Sequence, residues 1–122
     1  MDSILISIKK LLGIMEEYEH FDNDIMIHIN SVFSILNQLG AGPKDGFVIR
    51  DKTSNWSEFI QDEKLLEFVK SYVYLKVRLL FDPPVSSAVM ESTKQMINEL
   101  EWRINVAVDP KNTEGKEENQ NE

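Results

Sequence analysis

The chain is 122 residues long, 42% hydrophobic, free of cysteine and carries a formal net charge of -8. That length supports one domain with a modest core and not two, and the missing thiols exclude disulfides and thiolate-held zinc or iron–sulfur sites, in keeping with a reducing, cytoplasmic origin. Residues 109–122 account for -3 of the charge, which leaves -5 on residues 1–108 and no basic stripe to neutralise phosphates, so adhesive binding to nucleic acid is not expected.

The start, MDSILISIKKLLGIMEE, puts an acid at Asp2 and interrupts its apolar residues with Lys9 and Lys10, unlike a secretory signal. Ile4, Leu5, Ile8, Leu11 and Leu12 recur at helical spacing, with Asp2 or Ser3 placed to cap and Gly13 to stop a short first helix. Ile25, Ile29, Val32, Phe33, Leu36 and Leu39 repeat the pattern between an N-cap expected at Asp22 and a stop at Gly40. GAGPKDGFVIRDKTSNWSEF then defeats helix formation and leaves FVIR as its one strand-like run, which predicts an irregular loop or short β arm over about residues 40–56. Asn55 and Glu58 have capping-box spacing, so a further helical piece should begin at Trp56.

From Asp62 to Phe81 the residues are apolar on most faces, as in a helix buried on several sides. Its most apolar stretch, Leu65 to Phe81, carries Glu67, Lys70, Lys76 and Arg78 and falls short of the roughly 20 uninterrupted apolar residues a bilayer requires, so the chain is expected to be soluble. Pro83 and Pro84 end that helix, because proline lacks an amide donor and pushes the residue before it out of the helical region. Ser86 or Ser87 then caps a last helix whose apolar face is expected to be Val89, Thr93, Met96, Leu100, Ile104 and Ala107, antiparallel to the one before. The fold class is thus mainly α: a small bundle of about four helices over residues 1–108, with an arm between the second and third long helices. Residues 109–122 form a polar, acidic tail, which can take a fixed conformation only through contacts with another chain.

Motifs for chemistry are lacking. His20, Asp24 and His28 have the spacing of a metal-binding face, but a cap at Asp22 leaves His20 outside the helix, and ordinary surface histidines are the simpler reading. GAGPKDG lacks the Gly-Lys-Ser/Thr ending of a phosphate loop. Asp62, Glu63 and Glu67 suit a helix N-terminus better than a catalytic pair, and no serine sits in a nucleophile elbow. No catalytic residue, metal or cofactor is assigned, and an enzyme is disfavoured. The arm does display apolar groups, Phe47, Val48, Ile49 and Trp56, which either fold back onto the core or meet another chain.

The run YVYLKVRLLFDPPVSSAVMESTKQMINELEWRINVAVDP, Tyr72 to Pro110, resembles the carboxy-terminal half of the small helical head–tail connector proteins, also called neck or adaptor proteins, of long-tailed bacteriophages. DIMIHINSVFSILNQLGAGP and GFVIRDKTSNWSEFI extend the likeness upstream over nearly all of the chain before the tail. The resemblance implies a virion structural protein, made in the bacterial host cytoplasm and placed in the neck. Its copies would form a ring, commonly of twelve subunits, that docks under the portal protein, meets a tail-side stopper or tail terminator protein and lets DNA pass. It further implies that the arm, with Phe47, Val48, Ile49, Arg50 and Trp56, packs against neighbouring subunits. The last helix and tail, with Trp102, Val106, Val108, Lys111 and Glu114, would reach the portal. Net acidity, multiplied around a ring, would repel DNA phosphate if the acids face inward. The alternative is a small helical regulatory or partner-binding protein that uses the arm to capture one partner.

Overall fold

The computed structural model describes residues 2–108. Five helices follow one another: α1 (Ile4–Leu11), α2 (Asp22–Gln38), the single-turn α3 (Trp56–Phe59), α4 (Glu63–Phe81) and α5 (Ser87–Val108). There is no sheet among the described residues. One isolated antiparallel bridge, Ser3 to Asn55, ties the start of the chain to the end of the arm, with the Ile4 amide donating to Ser54 O at 3.0 Å and the Trp56 amide to Asp2 O at 3.1 Å.

Helix boundaries follow local chemistry. Ser3 caps α1 by accepting from the Ile6 amide at 3.2 Å. The Asp62 carboxylate caps α4 through the Lys64 and Leu65 amides, at 3.0 and 3.3 Å, and Ser86 Oγ accepts from Val89 at the start of α5. Glu58 reaches back to the Asn55 amide at 3.1 Å, the capping box expected from the spacing. At α2 the expectation shifts by one residue. Phe21 is the N-cap, without a side-chain bond, and Asp22 is the first helical residue because its carboxylate is engaged elsewhere.

That engagement is with Lys9, which is 1% exposed. Its ammonium donates to Glu16 O at 3.0 Å and Tyr18 O at 2.7 Å and lies 2.8 Å from Asp22 Oδ1. That buried oxygen has no hydrogen-bond partner and meets the ammonium as an ion pair. A lone buried ammonium is costly; here two carbonyls accept from it and a carboxylate balances its charge, and residues 13–21 are thereby wrapped over the end of α1.

The core runs through α1, α2, the arm, α3, α4 and the inner face of α5, with Ile4, Ile8, Ile25, Ile29, Val32, Leu36, Val69, Val73, Val77 and Ile104 fully buried. Among the helices α4 is central, packing on α2 on one side and α5 on the other, while α1 packs on α2. Tyr72 meets Glu101 and Phe68 meets Arg103, so the start of α4 lies beside the end of α5 and the pair is antiparallel around the Pro83–Pro84 corner. The inward face of α5 is the expected one in part: Thr93, Leu100 and Ile104 turn inward as expected, Ile97 joins them, and Val89, Met96 and Ala107 do not. Thr93, Ile97 and Ile104 are buried and Leu100 partly so, whereas Val89 and Met96 are 46% and 53% exposed and Ala107 faces out. Both sets satisfy helical spacing, and packing on α4 selects the set that also brings Glu101 to the Tyr72 hydroxyl.

Candidate interaction surfaces

The arm is an extended segment closed onto α2 by a side chain. Asn30 Oδ1 accepts from the Ile49 amide at 2.8 Å and Asn30 Nδ2 donates to Ile49 O at 2.9 Å, so a single carboxamide does the work of a partner strand. This is why FVIR forms no strand: its backbone partner is a side chain. Burial alternates along it. Phe47 packs against the rings of Phe33 and Phe59 at 5.8 and 5.2 Å and Ile49 is 2% exposed, while Val48 (56% exposed) and Arg50 face outward. Beyond it, the Thr53 amide donates to Asp51 Oδ1 at 2.8 Å; the Thr53 hydroxyl, then this amide, hold the Asp51 carboxyl below its usual pKa in a fixed turn.

Trp56 closes the arm. It is 1% exposed, and its indole N–H donates to Ser7 Oγ at 2.8 Å. An indole of this size fills the junction of α1 and α3, and its one polar atom is satisfied. Of the arm residues proposed for contact, Ile49 and Trp56 therefore lie inside the subunit, Phe47 is half-buried, and Val48 and Arg50 are on the surface.

On α5, Trp102 is 64% exposed and Val106 37%. They flank a shallow apolar hollow with Phe68, Arg103 and Ala107. The Arg103 guanidinium lies over the Phe68 ring at 6.0 Å and reaches Glu99 at 2.8 Å. Phe68 and Arg103 were not singled out by the sequence; only the antiparallel pairing of α4 and α5 brings them together. Val108 is half-buried and seated over Gly40, where an added Cβ would meet Val108 Cγ2 at 3.3 Å. The remaining candidates, Lys111 and Glu114, and the tail of residues 109–122 lie outside the described residues.

A second exposed apolar surface was not expected. In the α1–α2 linker Met15 is 72% and Tyr18 51% exposed. The Tyr18 amide bonds Met15 O at 3.1 Å, and Tyr18 stands edge-on to Phe21 at 5.8 Å, which stands edge-on to Phe81 at 5.2 Å. His20 stacks edge-on against Phe21, and His28 lies beside Phe81. The two histidines thus serve an aromatic cluster; among the described residues no three His, Asp or Glu groups gather to hold a metal ion. Nor is any helix among the described residues long and apolar enough to cross a membrane.

No curated protein and no solved structure matches the chain. A family model described as phage connector protein matches residues 4–111, which takes in every helix described above. The chain belongs to the phage connector protein family.

Proposed function

We propose that the chain is a structural subunit of a ring, twelve-fold in the assembled neck, that docks beneath the portal, receives a stopper or tail terminator protein on its tail side and leaves a channel for DNA. Membership of the connector family over residues 4–111 carries this reading. Several features support it. The α4–α5 hairpin, locked at Pro83–Pro84 and by the Tyr72–Glu101 bond, is a rigid element of the kind a load-bearing neck needs. Exposed Trp102, Val106, Met15 and Tyr18 are apolar side chains of the kind that contacts with other chains cover. The net charge of -8 per subunit disfavours adhesion to passing DNA. The segment after α5 is the part assigned to the portal, and the role is structural, not enzymatic.

Mixing the purified chain with a portal protein tests this directly. Light scattering and electron microscopy should show the chain adding to the portal as a closed ring. A chain that stays monomeric and ignores the portal would instead favour the partner-binding alternative.

A further inference from the structure

The arm is held unevenly along its length. Its far end is pinned to α1 by the two backbone bonds around the Ser3–Asn55 bridge and by the Trp56 indole on Ser7. Its middle rests on Asn30. Its root leaves α2 through Gly40 and Gly42, at φ +92° and +89°. Ala41 between them is 1% exposed, and its amide donates to Leu36 O at 2.9 Å. Each of these glycines is covered by a side chain from another element, at the place a Cβ would take: Gly42 by Phe59 of α3, Gly40 by Val108 of α5.

The two covers differ. Phe59 is 4% exposed and packs against the rings of Phe33 and Phe47 at 4.3 and 5.2 Å, so it moves only with the core. Val108 ends α5, and of residues 105–108 it alone is not exposed. The next inward residue, the fully buried Ile104, stands one turn back. The last turn can therefore lift from Gly40 while α5 stays packed on α4 through Ile97 and Ile104. Once Val108 lifts, the root loses its cover on that side, and glycine changes φ and ψ at less cost than any other residue.

We infer that Val108 is the latch of the arm: seated on Gly40 it keeps residues 41–50 folded on α2, and drawing the end of α5 away releases them from the root, turning Phe47 and Ile49 outward. For what draws on the latch this rests on the reading above, since the chain continues from Val108 into the segment assigned to the portal. Engagement of the portal and exposure of the arm are then one event. The apolar residues of the arm, closed in the free subunit, open only where a neighbouring subunit is being placed.

Two measurements test the latch. In the free chain, Val108→Ala should speed amide exchange at Ala41 and Ile49 about fivefold and leave α4 unchanged. Asn105→Ala, an exposed change in the same turn, should alter neither. Unchanged exchange at Ile49, or an equal gain in α4, would overturn the inference. On the portal, the latch can be locked. A Cβ at Gly40 stands 3.8 Å from Val108 Cβ, near the usual spacing of a disulfide, and the chain has no cysteine of its own. Gly40→Cys with Val108→Cys should close no rings when oxidised, and reduction should restore them. Equal ring closure by both forms, or by neither where the wild type closes rings, would overturn the latch and leave the ring reading standing. A wild type that ignores the portal would overturn the ring reading, and exchange in the free chain would then decide the latch by itself.

Discussion

Tyr72 carries a hydroxyl into the contact of α4 with α5, fully buried, and donates to Glu101 Oε2 at 2.8 Å. Burial, and then the Glu101 carboxylate, push its pKa well above the ordinary tyrosine value. The folded state therefore keeps the proton longer than the unfolded chain. The associated stability is whole below the unfolded value, about pH 10, and is lost as pH rises from there toward the folded pKa. Ultraviolet titration should show Tyr72 ionising only as the helices part. Tyr72→Phe should flatten this alkaline loss while costing about 1.5–3 kcal/mol at neutral pH, the range for a bond to a charged group. Gly42 offers a second residue-level test. It sits at φ +89°, and a Cβ there would run into the Phe59 ring, whereas Gly13, at φ +82°, has nothing within 4 Å. Gly42→Ala combines left-handed strain with overpacking and should cost about 2–4 kcal/mol in urea unfolding, against about 1 for Gly13→Ala. Lys9 shows what residue-by-residue reading misses. In the sequence it is a charge interrupting an apolar pattern, and the carbonyls that satisfy it exist only once residues 13–21 have folded over it.

Elements were legible wherever a boundary carries its own chemistry: Ser3, the Asn55–Glu58 box, Ser86 and the Pro83–Pro84 corner all act locally and stand where the sequence puts them. Faces were less so. The apolar residues of α5 cover more of its circumference than α4 can bury, and spacing, which placed Thr93, Leu100 and Ile104 correctly, cannot choose between Ile97 and the Val89–Met96 pair to complete the face. The arm failed to become a strand for a reason no strand propensity holds, since its partner is Asn30, 19 residues back and on a helix. Asn30→Ala should thus act on a whole segment. It leaves the Ile49 amide and carbonyl without partners, a loss of about 2–6 kcal/mol at about 1–3 per unsatisfied buried group. Hydrogen exchange should then lose protection at Ile49 while α4 keeps its own; unchanged exchange at Ile49 would mean that packing of Phe47 alone holds the arm.

At the scale of the whole molecule, charge sets the expectation for nucleic acid. With -5 on residues 1–108 and -3 beyond them, the chain should give no salt-sensitive shift with random-sequence duplex DNA at micromolar concentration and physiological salt. A shift that weakens with salt would reveal a basic face. Of the candidate contact residues, the sequence picked out Trp102 and Val106, which are on the surface, together with Ile49 and Trp56, which are not. Apolar side chains in a segment without secondary structure look the same in one dimension whether they point inward or outward. Met15 and Tyr18 went unnoticed because they sit in a linker whose charges dominate its composition.

The sealed ammonium of Lys9 also gives the molecule a chemical gauge. An amine-reactive acylating reagent needs a free, accessible nitrogen lone pair, and at 1% exposure with three partners Lys9 offers none until α1, the linker and α2 separate together. Lysines on open surface are modified at the speed of the reagent; this one is modified at that speed scaled by the fraction of time it is open. Peptide mass mapping of a timed acylation would therefore read the opening equilibrium of the amino-terminal half of the subunit from one site, and would show how far assembly shifts it.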